Sequence, residues 1–265
     1  MQALAAMPAP VAAGIRIVLS DIDDTITTEG QLTADAYHAL ERLNQAGITV
    51  IPITGRPAGW CDHIARMWPV HAVVGENGAF YFSYDRQARR MTSHYWADSE
   101  QRRSNRQKLD DIQRRVLAAV PGCALASDQA YRVADLAIDF CEDVPALDDH
   151  AVNQIVAIFK EAGAQAKVSS IHVNGWFGDY DKLSMTRTLF RDMLGADTPD
   201  LADVTLFIGD SPNDAPMFGH FPISVGVANI QSQLHRLDHR PAYVTVGHGG
   251  TGFVEMANHL LNARS

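Results

Sequence analysis

Cysteine is scarce: the 265 residues contain three, at Cys61, Cys123 and Cys141, far apart and never spaced C-x-x-C. So odd and scattered a set argues against a disulfide framework and a thiolate zinc site, and makes a reduced, cytoplasmic setting the expectation. No run of 18 or more apolar residues occurs, so no transmembrane helix and no membrane partner is expected. Positive charge is in deficit, with 22 Lys+Arg against 31 Asp+Glu and a formal net charge of −9. That balance argues against nucleic acid as a partner, because phosphate backbones are bound by Lys/Arg-rich surfaces. It also disfavours an anionic small molecule, unless something local such as a metal ion inverts the field. H-E-x-x-H and G-x-x-x-x-G-K-[ST] are missing, so neither a zincin helix nor a P-loop is present. His235 and His239 are spaced i, i+4 but lack a third ligand, and an exposed helix face is the reading for them.

What is present is ordinary for a globular protein: 46% hydrophobic and 20% charged residues, in a length that suits one large domain or two modest ones. Residues 1–14 are apolar, lack a positive n-region and contain prolines, so they read as a disordered leader. Short β-branched runs at 15–20, 48–53, 71–74, 204–208, 222–227 and 243–246 read as strands. Helical patterns at 33–46, 182–194 and 250–262 alternate with them, as in a doubly wound, Rossmann-like α/β sheet. Between 83 and 179 the alternation fails. A basic run from Arg86 to Arg115, carried into a helix at 99–119, is followed by strand-like stretches at 131–140 and 165–174 around a helix at 147–162. This reads as a smaller α+β insert dividing a core of 15–82 and 180–265, its basic run a solvated helix face.

Several of these strands end in residues that handle phosphate. The first ends in Asp21-Ile22-Asp23-Asp24-Thr25, the second in Thr54-Gly55-Arg56-Pro57, and that at 204–208 in Gly209-Asp210-Ser211-Pro212-Asn213-Asp214. In open α/β sheets, ligands bind outside the carboxyl ends of the strands, so these segments converge. Several carboxylates in one cleft repel unless a cation joins them, and Mg²⁺ takes one or two carboxylates together with phosphate oxygens. A carboxylate nucleophile at Asp21 and a general acid/base at Asp23 suffice for phosphoryl transfer, with Thr54 and Lys182 on the phosphoryl oxygens.

V-L-S-D-I-D-D-T, I-P-I-T-G-R, a lone D-K and F-I-G-D-S-P-N-D, in that order, resemble the four motifs of the haloacid dehalogenase superfamily of phosphatases. The resemblance covers about 15–80 and 180–262 and implies a Rossmann-like core, Mg²⁺ and an aspartyl-phosphate intermediate. It makes Asp21 the nucleophile, Asp23 the acid/base, and Thr54 and Lys182 the phosphate holders. The metal set it implies is Asp21, Asp23, Asp210 and Asp214, with Asn213 supporting the loop. The insert, introduced by G-E-N-G-A, is similar to the α/β cap of the Cof-type branch, which includes sucrose-phosphate and mannosyl-phosphoglycerate phosphatases and phosphomannomutase. That likeness marks Gly55, Arg56, Asn77, His172 and Asn174 as substrate contacts, although packing within a strand would equally account for His172 and Trp176. One departure is Asp24, where the family usually has glycine. The function implied is hydrolysis of a small phosphate monoester, with a sugar phosphate foremost. A phosphosugar mutase and a non-catalytic phosphometabolite-binding protein are the alternatives, and no oligomeric state is implied.

Overall fold

The computed structural model describes residues 1–264, and the first of them already belong to a sheet. β1 (Gln2–Ala3) pairs in parallel with a strand near the far end of the chain, Gln2 opposite Tyr243 and Ala3 opposite Val244. A 3₁₀ turn and α1 (Ala9–Gly14) follow, with Leu4, Met7 and Ala12 buried. Residues 1–14 are therefore not a disordered leader: their apolar side chains enter the core, and Pro10 sits in the first turn of α1, where its missing N–H costs nothing.

β2 (Ile17–Ser20) is buried at every position, and α2 (Ala34–Gln45) is capped by Thr33, whose hydroxyl accepts from the Ala36 N–H. β3 (Thr49–Pro52), α3 (Ala58–Met67) and β4 (Val73–Gly75) continue the alternation. β5 (Phe80–Asp85) and β6 (Arg90–Tyr95) then form an antiparallel hairpin on β4. Phe80 and Phe82 stack with centroids 4.5 Å apart, and Tyr95 packs on both, all against the core beside α3. The expected boundary at 83 thus falls inside β5, and the hairpin extends the core's sheet.

α4 (Ser99–Ala119), β7 (Ala124–Leu125), β8 (Leu136–Asp139), α5 (Asp149–Glu161), β9 (Gln165–Val168) and β10 (His172–Trp176) form the insert, a four-stranded antiparallel sheet in the order β7-β8-β10-β9 with two helices on it. The expected strand at 165–174 is two strands. Side chains alternate along β10. Val173 packs with Leu109, Ile155 and Phe159, and a Cβ on Gly175 would overlap the Phe159 ring. His172, Asn174 and Trp176 point the other way, toward the main sheet.

α6 (Lys182–Leu194), β11 (Thr205–Gly209), α7 (Ala215–His220), β12 (Ile223–Gly226), β13 (Tyr243–Val244) and α8 (Gly249–Asn262) complete the chain. The main sheet is parallel in the order β1-β13-β12-β11-β2-β3, and an Ile53–Val74 bridge joins β4 to it. Apolar clusters cover both faces, one with α2 and α8 and the other with α6 and α7, which is why its strands read as unbroken apolar runs. The fold is a Rossmann-like doubly wound α/β sheet with an inserted α+β cap. β2 lies between β3 and β11, with Ser20 opposite both Pro52 and Ile208, so Asp21, Thr54 and Asp210 emerge at one edge. Among the described residues no helix is long and apolar enough to cross a membrane.

Candidate active site

Asp21 and Lys182 meet at this edge. Lys182, the first residue of α6, donates to Asp21 Oδ1 and to Asp214 Oδ1, each at 2.7 Å. Its position is fixed by a capping box, in which Asp181 accepts from the Ser184 N–H and Ser184 Oγ accepts from the Asp181 N–H. Gly78, with φ of 109°, brings the Glu76–Gly78 turn against the Asp181 carbonyl, where a Cβ would overlap it.

Asp214 is braced from below, its Oδ2 accepting from the N–H groups of Asp210 at 3.0 Å and Ser211 at 3.1 Å. Asp210 Oδ2 accepts from Asn229 Nδ2 at 3.1 Å, and its Oδ1 from Thr25 Oγ1 at 3.5 Å. Carboxylate oxygens of Asp21, Asp210 and Asp214 lie within 4.8 Å of one another, all buried. Burial pushes Asp21 up to about 8; Lys182 opposes this, and the carboxylates of Asp214 and Asp23 add to it. Burial, then Asp21 and Asp214, drive Asp210 well above the carboxylate range. Burial would lower Lys182, but the two aspartates outweigh it and keep the ammonium charged. One ammonium does not balance three buried carboxylates, and a hard cation with oxygen ligands does. The donor set fits Mg²⁺, with Asp21 and Asp210 carrying the least committed oxygens.

Asp23 stands apart from that triad. Its Oδ1 accepts from Arg56 Nε at 2.8 Å, because the guanidinium leaving the β3 end reaches it before the other carboxylates do. Arg56 spans the seam to the cap: Nη2 donates to Glu142 Oε1 at 2.7 Å and Nη1 to Asp128 Oδ2 at 3.4 Å, with the Trp60 ring 4.5 Å away. Glu142 Oε2 lies 2.9 Å from His172 Nε2. A second tie runs beside it, where Arg132 Nη1 donates to the Gly55 carbonyl at 2.8 Å. In a third, the buried Glu76 carboxylate accepts from the N–H groups of Val133, Ala134 and Asp135, the shortest at 2.6 Å. Asp21, Asp23, Gly55, Arg56, His172, Asn174 and Asn213 surround a chamber of only about 10 Å³. That is room for roughly one water, so the cap lies closed over these residues.

The remaining expected residues brace the site. Thr54 Oγ1 accepts from the Arg56 N–H at 3.0 Å, and Asn213 Nδ2 donates to Asn77 Oδ1 at 3.0 Å. Asn174 Nδ2 donates to Asp135 Oδ2 at 2.9 Å. Asp24 has φ of 54°, the left-handed region that a glycine would occupy freely and that Asp tolerates. Its carbonyl accepts from Asn229 Nδ2 at 3.0 Å. Asn229, Glu142, Asp128, Arg132 and Glu76 were not singled out from sequence; the G-E-N-G turn was the one available signal, for Glu76. His235 lies in a 3₁₀ run and His239 beyond it against Gly219, so the helix face expected to carry both does not form.

Residues 18–114 match the haloacid dehalogenase-like hydrolase family. That match holds Asp21, Asp23, Thr54 and Arg56, while Lys182, Asp210 and Asp214 lie beyond it and join the site through the fold. No curated protein matches the sequence. Solved structures similar to this chain include a Thermoplasma acidophilum protein, 19% identical, TM-score 0.67, covering 93% of this chain and 98% of its own. The sucrose-phosphatase from Synechocystis, solved with sucrose and phosphate, is 19% identical with TM-score 0.62, covering 92% and 97%. A haloacid dehalogenase-like hydrolase from Bacteroides thetaiotaomicron is 14% identical with TM-score 0.61, covering 93% and 99%. At such identities the likeness speaks for the fold.

Proposed function

We propose that the protein is a Mg²⁺-dependent phosphatase of small phosphate monoesters, foremost sugar phosphates, acting in the cytoplasm through an aspartyl-phosphate on Asp21. The observation that carries this reading is the convergence of Asp21, Asp210 and Asp214 with Lys182 at the carboxyl edge of the parallel sheet. The likeness to a sucrose-phosphatase supports the sugar phosphate, and three unpaired cysteines support the reducing compartment.

Asp21 and Asp210, with Asp214 beside them, would hold the metal, whose contribution when bound is to offset carboxylate charge and stabilise phosphoryl oxygens. Lys182 orients Asp21 and supplies positive charge to the transferring group. An Asp21 carboxylate oxygen attacks phosphorus as the bond to the leaving oxygen breaks, and Asp23 gives that oxygen its proton. Water then attacks phosphorus, Asp23 takes the water's proton, and the bond to Asp21 breaks, regenerating the carboxylate. For this, Arg56 must share Asp23 with substrate, which couples the acid/base to the position of the cap.

The chamber's near-exclusion of water keeps a phosphosugar mutase as the second reading, since a mutase must return the phosphoryl group before water takes it. Hexose phosphates incubated with enzyme and Mg²⁺ separate the two. Phosphate release without isomerised product supports the phosphatase, and isomerised product without phosphate overturns it.

A further inference from the structure

A cavity of about 380 Å³ adjoins the closed chamber, sharing Asp23, Arg56, Ser170 and Ile171 with it. Its size lies within the roughly 300–1,000 Å³ usual for small-molecule sites. Four carboxylate side chains line it: Asp23 and Asp24 from the loop after β2, Glu29 beyond them, and Glu142 from the cap. Arg56 is the one cationic side chain in this lining, and its guanidinium is already bound by Asp23, Glu142 and Asp128. A site for an anionic group normally offers an uncommitted Arg fork or Lys. This one offers neither.

We propose that this acidic vestibule confines the enzyme to phosphate monoesters whose leaving group is uncharged, such as a polyol or sugar, with Glu142 as a specificity-determining residue. The proposal rests on the phosphatase reading above and narrows its substrate class. Glu142 acts twice: it adds a negative charge to the lining, and it occupies the Nη2 edge of Arg56 that a second anion would otherwise use. His172 Nε2 lies 2.9 Å from it on the cap side. A leaving group bearing a carboxylate or second phosphate meets Asp24, Glu29 and Glu142 without a free cation. At separations near 7 Å and an effective dielectric of about 20, one such repulsion lowers affinity by more than about tenfold.

The test compares kcat/KM, with Mg²⁺ present, for near-isosteric substrates that differ by CH₂OH against carboxylate. Glycerol 1-phosphate against 3-phosphoglycerate is one pair; glucose 1-phosphate against glucuronic acid 1-phosphate is the other. The wild type is expected to favour the neutral member by at least about tenfold, and added salt to shrink that preference. Glu142→Gln is expected to reduce the ratio several-fold, and Glu29→Gln, at an exposed position, to reduce it less. A wild-type ratio near one, or one favouring the anion, overturns the proposal even though phosphatase activity is present. So does a ratio unchanged in both variants, and if Glu142→Gln does not fold, the wild-type ratio and Glu29→Gln decide. Should neither these esters nor p-nitrophenyl phosphate release phosphate, the phosphatase reading fails and the proposal with it.

Discussion

Lys182 donates to Asp21 across 2.7 Å from a position only 1% exposed. Among the described residues the ammonium is the one cation touching both Asp21 and Asp214, so the two carboxylates depend on it for burial. Lys182→Ala is expected to cost about 3–5 kcal/mol, the usual penalty for leaving a buried charge uncompensated. Urea denaturation without metal measures it. A loss below about 1 kcal/mol would contradict the dependence of their burial on the ammonium.

Glu76 fastens the cap to the core through backbone groups. Its Oε1 accepts from Ala58 at 3.1 Å and Val133 at 2.9 Å, and its Oε2 from Ala134 at 2.6 Å and Asp135 at 3.1 Å. Glu76→Ala strands these donors and is expected to cost roughly 3–5 kcal/mol. Hydrogen exchange should accelerate at residues 133–135 first. Unchanged protection there would contradict the anchoring role.

Glu142 sets an acid limit on closure. Burial would raise its carboxyl, but bonds from His172 and Arg56 outweigh this and hold it at about 2, below the ordinary 4.5. A group whose folded value is depressed stabilises above the unfolded value and loses that contribution as pH falls through the folded one. Stability should therefore drop between pH 4.5 and 2, and Glu142→Gln should show a shallower drop. Denaturant titrations at pH 5, 4 and 3 check this. Equal slopes in both proteins would contradict it.

The N-terminal segment carries weight in the fold. Leu4, 2% exposed, is buried in the main core beside the β1–β13 pairing. Leu4→Ala is expected to cost about 2 kcal/mol, the low end for a buried leucine because it follows a two-residue edge strand that can shift. Thermal unfolding measures it, and an unchanged midpoint would mean that the segment frays.

The site's centre was legible because buried parallel strands are continuous apolar runs and the chemistry follows their last residue, as Asp21 follows Ser20 and Asp210 follows Gly209. Lys182 was legible from its place in an ordered set of motifs. The seam was not: Arg56 and Glu142 are 86 positions apart, and their pairing depends on how two layers meet. The pairing of Gln2 with Tyr243 is a similar case, since no local pattern marks an edge strand that short. The β5–β6 hairpin had a signal in the aromatic stretch Phe80–Tyr84, obscured by the arginines of its turn and second strand. Asp23 shows the limit of spacing. Two residues from Asp21, it turns to Arg56 instead of the carboxylate triad.

We propose Asp21, in a cation-requiring carboxylate cluster, as the phosphoryl acceptor. Phosphate release from a panel of monoesters, with Mg²⁺, with excess chelator, and with Asp21→Asn, tests it most directly. Turnover is expected with Mg²⁺ and is abolished by chelator and by Asp21→Asn. Turnover that persists in chelator, or in the Asp21→Asn protein, would contradict it.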